Sequence, residues 1–282
     1  MYPSNISSFL HFRRYLISFF VLLIMVTVPF LVGQHKPYQP ARSSLNDPAR
    51  KMRAAQITSS FENSSLSLQY DYAQDIGDGN GITAGRAGFT TGTGDLLEVV
   101  QSYTKLKPDN LLAKYIPTLQ AVNGSKNTAG LEQLAVDWKL ANKDPQLHAV
   151  QDAIVDKLYY IPAMQRASQV GIHTALGGLI LWDTWIQQGS GDSKSGDPDG
   201  ADQVIAETRQ TMHGYIKNNE AAWLQTFLRV RRQHLYHQYE STINDRTSSD
   251  SRVTALNSFI DHRYFSLDLP LQWSVYGDNY QL

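Results

Sequence analysis

The chain has no cysteine in its 282 residues. That absence excludes disulfides, a thiol nucleophile and any cysteine-ligated metal, so stability must come from packing alone. It fits an exported bacterial enzyme better than a small secreted domain held by disulfides. An excess of one charge sign is also missing: 25 Lys and Arg stand against 26 Asp and Glu, a formal charge of -1. Nucleic-acid binders usually carry a basic excess or patch, and neither is present, so no nucleic-acid partner is expected. Charged residues are somewhat sparse at 18%, while hydrophobic residues make up 42%. This is the composition of an ordinary globular protein, long enough for one large domain or two small ones with a substantial core.

One long charge-free run stands out, YLISFFVLLIMVTVPFLV from Tyr15 to Val32, preceded by His11-Phe12-Arg13-Arg14. Positive charge followed by such a run reads as an export signal or signal-anchor over residues 1–34. No clear small-x-small cleavage pattern follows it, so release into the medium and retention as an anchor both stay open. Such an anchor is the one membrane attachment expected. A buried core helix fits less well, because core helices rarely lack every polar residue on their outer face. Residues 35–49 contain three prolines and few apolar anchors, and read as a flexible linker.

Beyond residue 50 the pattern is mostly helical, and no internal repeat is found. A helix is expected from Lys51 to about Ser60, followed by a half-buried strand in which Leu66, Leu68, Tyr70 and Tyr72 alternate with polar residues. GDGNG then turns the chain through glycines that tolerate positive φ, and ITAGRAGF pairs back. Asp95 is placed to cap a helix carrying Leu96, Leu97, Val99, Val100 and Tyr103. Asp144-Pro145 opens another helix, with Leu147, Val150, Ile154 and Leu158 on one face. A further helix is expected through Val170, Leu176, Leu179, Ile180 and Trp182. The polar stretch from Gly189 to Gly200 reads as a loop, and helices are expected at 204–216, 221–239 and 253–265.

Two acidic positions sit in contrasting surroundings. Glu62 follows Phe61, where partial desolvation favours a protonated carboxyl, whereas Asp78 lies between Gly77 and Gly79, where backbone donors and solvent favour an ionised one. Such a pair suits glycoside hydrolysis, in which one carboxylic acid protonates the leaving oxygen and one carboxylate activates water. On composition alone, a glutamate near a helix end and an aspartate in a glycine turn are equally ordinary solvated features. Asp78-Gly79-Asn80-Gly81 also resembles half a calcium loop, but it lacks the ligand spacing and terminal glutamate of an EF-hand. His234 and His237 in HLYH lack a companion glutamate, so no metal and no cofactor are expected.

The stretches SSFENSSL, QYDY, QDIGDGNGITAG and GFTTGTGDLLEVVQ resemble the signature region of the chitosanases of glycoside hydrolase family 46. The resemblance continues through LAKYIPTLQAVNGS and DTWIQQG to LPLQWSVYGDNYQL, roughly residues 50–282. It implies a mainly α (α+β), two-lobed lysozyme-like fold, with a small antiparallel sheet beside the substrate cleft and residues 50–282 as the catalytic domain. It also implies endo-hydrolysis of β-1,4 bonds between glucosamine units, with inversion, on chitosan and glucosamine oligosaccharides. By the same resemblance Glu62 matches the general acid, Asp78 the general base, and Thr83 the residue that holds the attacking water. Asp95 matches a carboxylate that binds a cationic sugar, an alternative to its reading as a helix cap, while Asp75 and Tyr72 fall among the expected substrate contacts. Arg252 matches an arginine that pairs with the acid, and Arg231 and Asp183 match its partners.

Two departures qualify the match. The segment between Glu62 and Asp78 is shorter by two residues than in the best-known members and lacks a tryptophan found there. The segment ESTINDRTSSD before Arg252 is longer, which leaves Arg246 as an alternative to Arg252. Arg229 and Arg232 read as a solvated helix face, a reading that suits Arg231 less well than the charge network does. Trp138 reads as a structural tryptophan near the cleft floor. A lysozyme-like hydrolase of chitin or peptidoglycan and a non-catalytic secreted carbohydrate-binding protein are the competing functions.

Overall fold

A computed structural model of the chain describes residues 44–77, 79–191, 198–214, 219–238 and 243–282. Two compact units divide the chain: one is the continuous stretch Leu68–Leu158, and the other joins the preceding described residues up to Ser67 to Tyr159–Leu282. The expected export segment at 1–34 lies outside the described residues. So does most of the expected linker.

The first helix, α1 (Pro48–Asn63), begins where Asp47 accepts the Arg50 N–H at 2.9 Å and proline occupies the first turn. Its buried face includes Ala54, Ile57 and Phe61, and it ends at Ser64 in the left-handed region, φ 49°. The strand expected over Leu66–Tyr72 is absent, and this segment is a series of bends and turns. Its serines explain the difference: Ser59 Oγ donates to Ser67 O at 2.9 Å, and Ser65 Oγ accepts from Ser67 N at 3.0 Å. Such side-chain bonds compete with a strand ladder.

The continuous unit starts with three short antiparallel strands, β1 (Ala73–Asp75), β2 (Ile82–Ala84) and β3 (Phe89–Thr90). In their register Thr83 stands opposite both Gln74 and Thr90. Helices α2 (Asp95–Leu106), α3 (Ile116–Val122), α4 (Leu134–Ala141) and α5 (Pro145–Val155) follow. Asp144 caps α5 as expected, accepting from Gln146 N at 2.9 Å. Lys107, that backbone N–H and the Tyr103 hydroxyl together hold its carboxyl down at about 2. Trp138 is fully buried and donates its indole N–H to Tyr70 O at 2.9 Å, which makes it part of this unit's core.

A π-helical turn, Asp156–Tyr160, leads from α5 into α6 (Ile161–Val170). The single helix expected from Val170 to Trp182 is two. Gly171, at φ 86°, closes α6, and Thr174 Oγ accepts Gly177 N at 3.0 Å to open α7 (Ala175–Gln188). Nearly all of α7 is buried, including Leu176, Leu179, Ile180, Trp182 and the charged Asp183. Gly178 lets Leu45 approach, since a Cβ there would stand 2.7 Å from Leu45 Cδ1.

Helices α8 (Ala201–Thr211), α9 (Glu220–Gln238) and α10 (Ile243–Asp261) complete the helical part. The last begins ten residues before the expected helix at 253, because its early turns lack the apolar periodicity that Val253, Leu256 and Phe259 supply later. A second sheet, not anticipated, pairs β4 (Gln272–Val275) with β5 (Asp278–Gln281) across a turn at Tyr276 and Gly277. The fold is therefore mainly helical with two small antiparallel sheets.

Candidate active site

Glu62 occupies the last full turn of α1, and its side chain is 21% exposed. Arg252, buried on α10, donates Nη1 to Glu62 Oε1 at 2.5 Å. The same guanidinium holds Asp183 from Nε to Oδ2 at 3.0 Å and from Nη2 to Oδ1 at 2.7 Å. Arg231 reaches the same carboxylate, Nη2 to Oδ2 at 2.8 Å. Glu62, Arg252, Asp183 and Arg231 thus form one continuous row of alternating charge, drawn from α1, α10, α7 and α9. Arg246, the alternative partner, falls outside the described side chains.

The charge row is self-consistent. Burial alone would push the Asp183 carboxyl up, but Arg252 and Arg231 outweigh it and hold the group below the usual carboxylate range. Burial works against the charged form of Arg252, yet Asp183 and Glu62 more than compensate and raise it. Arg231 has the weaker support, and burial leaves it lowered. Two glutamines add neutral acceptors: Arg231 Nε donates to Gln188 Oε1 at 3.0 Å and Nη2 to Gln187 Oε1 at 2.5 Å. Both glutamines lie in the DTWIQQG stretch of the resemblance, but amides on an apolar helix carry no pattern that assigns them this role.

Phe61 contributes differently from the sequence expectation. Its ring is buried, and the Arg252 guanidinium lies 5.4 Å from its centroid, so the aromatic face meets the arginine. Of the three arginines in LRVRR, Arg231 is fully buried, Arg229 is exposed, and Arg232 pairs with Asp250 at 2.6 Å. The solvated-face reading therefore fails for Arg231.

In the continuous unit, Asp78 itself lies outside the described residues. The flanking glycines adopt the left-handed region as expected, Gly77 at φ 68° and Gly79 at φ 89°. Gly81 is needed on a second count, because a Cβ there would stand 2.1 Å from Thr91 Oγ1. Thr83 is fully buried on β2. Asp75 is exposed and accepts Gly77 N at 2.9 Å, while Tyr72 is half-buried and its carbonyl accepts Gly85 N at 2.7 Å.

Asp95 is not an N-cap. That position belongs to Gly94, φ 81°, and Asp95 is the first residue of α2. Its Oδ1 accepts from Thr90 N and from Thr93 Oγ1, each at 2.6 Å, so the carboxylate clasps the loop leading into the helix. His234 and His237 both turn Nδ1 to the carboxylate of Asp199 at 3.0 Å. Among the described residues no group of three or more His, Asp or Glu is arranged to hold a metal.

Glu62 is thus a partly exposed carboxyl set against a buried guanidinium on a mainly helical scaffold. Residues 56–271 match the family model described as "Glycosyl hydrolase family 46". The chain belongs to that family. It is 39% identical over 258 residues to a chitosanase of Bacillus subtilis (strain 168), covering 90% of this chain and 87% of that protein. The solved structure of native chitosanase from Bacillus subtilis MY002 superposes with a TM-score of 0.70 at 38% identity, covering 84% of this chain and 99% of that one. A complex of a Gynuella sunshinyii family 46 chitosanase with chitotetraose gives 0.69 at 40%, covering 83% and 97%. Among the described residues no helix is long and apolar enough to cross a membrane.

Proposed function

We propose that this protein is an endo-chitosanase that cuts internal β-1,4 glucosaminidic bonds with inversion. The observation that carries this reading is the likeness, over more than four-fifths of both chains, to a chitosanase solved with chitotetraose. Glu62 is the general acid and donates its proton to the leaving glycosidic oxygen. Asp78 is the general base and takes a proton from the water that attacks the anomeric carbon from the opposite face. Thr83 helps orient that water. Each turnover consumes one water, and the proton gained by the base returns to the acid through solvent.

The ion pair between Arg252 and Glu62 gives the acid its physical setting. As the glutamate releases its proton, a full carboxylate charge develops against a buried guanidinium already fixed by Asp183. Stabilisation of charge that appears only along the reaction lowers the barrier without tightening ground-state binding. Asp95, Asp75 and Tyr72 meet the sugar rings, the two carboxylates drawing the glucosamine ammonium groups. Residues 1–34 direct export, and membrane attachment persists only where that segment is retained.

The test is reducing-end release from nearly fully deacetylated chitosan by the purified 35–282 fragment, with the first product followed by time-resolved NMR. The α anomer is expected from the β-linked substrate. An initial β product would reject inversion, and equal rates on acetylated and deacetylated oligosaccharides of matched length would reject the substrate assignment.

A further inference from the structure

The C-terminal hairpin carries a phenol that the fold itself does not use. Tyr276 opens the turn between β4 and β5 at φ 56°, followed by Gly277 at φ 90°. That turn geometry usually takes asparagine, aspartate or glycine, and a bulky residue there is an outlier. The Tyr276 backbone N–H donates to Ser251 Oγ at 2.8 Å, which fixes the turn against the residue preceding Arg252.

The hydroxyl is buried and has no hydrogen-bond partner among the described residues. The charged groups acting on it are Arg252 on α10, Glu62 on α1, Asp183 on α7 and Arg231 on α9. Burial raises the phenol well above its ordinary value; the two carboxylates add to this and the two guanidiniums oppose it. The group therefore stays neutral and keeps its proton across the working pH range. A buried hydroxyl without an acceptor destabilises the resting fold, and phenylalanine would fill the same space without that cost. The resting state gives the oxygen no partner, while the turn that carries it is pinned to Ser251, next to the Arg252 that already holds one oxygen of Glu62.

We propose that Tyr276 is a positioning residue for Glu62, its phenol O–H turning to the glutamate carboxylate as the acid proton leaves. Arg252 then bonds one carboxylate oxygen as an ion and Tyr276 supports the same carboxylate as a neutral donor. The inference rests on the reading of Glu62 as the general acid.

Tyr276→Phe keeps the ring and removes only the oxygen. Its kcat on chitosan is expected to fall about tenfold to a hundredfold, the scale of a hydrogen bond to a charged group, with KM unchanged. Because the ionised glutamate loses a donor, the alkaline limb of the kcat–pH profile moves to higher pH. The melting temperature stays equal to the wild type or rises. Wild-type kcat and an unmoved limb in the folded variant would overturn the proposal. A lowered melting temperature with an unmoved profile would overturn it equally, by assigning the oxygen to the fold. Glu62→Gln measured alongside separates the two readings. An active Glu62→Gln removes the acid assignment and this inference with it, whereas an inactive Glu62→Gln beside a wild-type-like Tyr276→Phe removes the role of Tyr276 alone.

Discussion

The indole of Trp273 donates to Ser60 Oγ at 3.0 Å, two residues ahead of Glu62 on the same helix. Ser60 in turn donates to Ile57 O at 2.6 Å, so β4 is fastened to the end of α1 through a fully buried hydroxyl. Trp273→Phe removes the donor and part of the ring. It is expected to destabilise the fold by about 1–3 kcal/mol, from the lost bond and the unfilled volume. A urea midpoint equal to the wild type's would show that the fastening carries no weight.

Glu62→Gln preserves shape and removes the transferable proton. Turnover should fall by roughly 10² to 10⁴ or more while the circular dichroism spectrum stays native. Asp78→Asn should cost nearly as much. Thr83→Ala should leave measurable activity, because the change removes a helper to the proposed base and not the base itself. Near wild-type rates in the folded Glu62 or Asp78 variants would reassign the chemistry.

Asp183 lies between two buried guanidiniums, and Asp183→Asn leaves both without their shared counter-ion. Removing one member of such a buried set costs on the order of 3–5 kcal/mol. The pH dependence has a definite sign. The folded-state pKa of Asp183 is depressed, so its contribution is fully present above the unfolded value of about 3.9 and is lost as pH falls through the folded value. The wild type should therefore lose stability on acidification below about pH 4, and Asp183→Asn should show a shallower acid limb. Urea midpoints measured from pH 7 downward test this, and parallel curves for the two proteins would contradict it.

Asp95→Asn keeps an oxygen that can accept from Thr90 N and Thr93 Oγ1, so the loop clasp is largely retained. What it loses is the charge. KM on chitosan should rise more than kcat falls, and added salt should weaken the wild type more than the variant, since screening at 0.1 M acts over about 10 Å. A salt response identical in both would leave Asp95 a loop clasp only.

The sequence carried some of this structure openly and hid the rest for identifiable reasons. Asp144-Pro145 was readable because a cap and an N1 proline are local chemistry, and the structure has that bond. The glycines around Asp78 announced left-handed backbone for the same reason. The alternation from Leu66 to Tyr72 misled, because neighbouring serines bond the backbone and hold it in turns. α7 could not be separated from α6 by periodicity, since both are apolar and the break rests on Gly171 and Thr174 alone. β4 and β5 went unread because Tyr-Gly is a poor turn signal beside Asn-Gly. Family resemblance pointed to Arg252, but the glutamines beneath Arg231 and the unpartnered hydroxyl of Tyr276 appear only when distant segments are brought together.

The pairing of Glu62 with Arg252 spans 190 positions along the chain. On the ribosome, α1 emerges early and waits while the whole of Leu68–Leu158 is made, and Asp183 and Arg231 appear before the guanidinium that links them to Glu62. Until α10 arrives, the buried carboxylate of Asp183 has only Arg231 to answer it, and α7 has a charge that it cannot yet bury. The charge row can therefore be completed only when the last part of the chain has been made. A nascent chain halted before residue 252 holds Glu62 without its electrostatic partner.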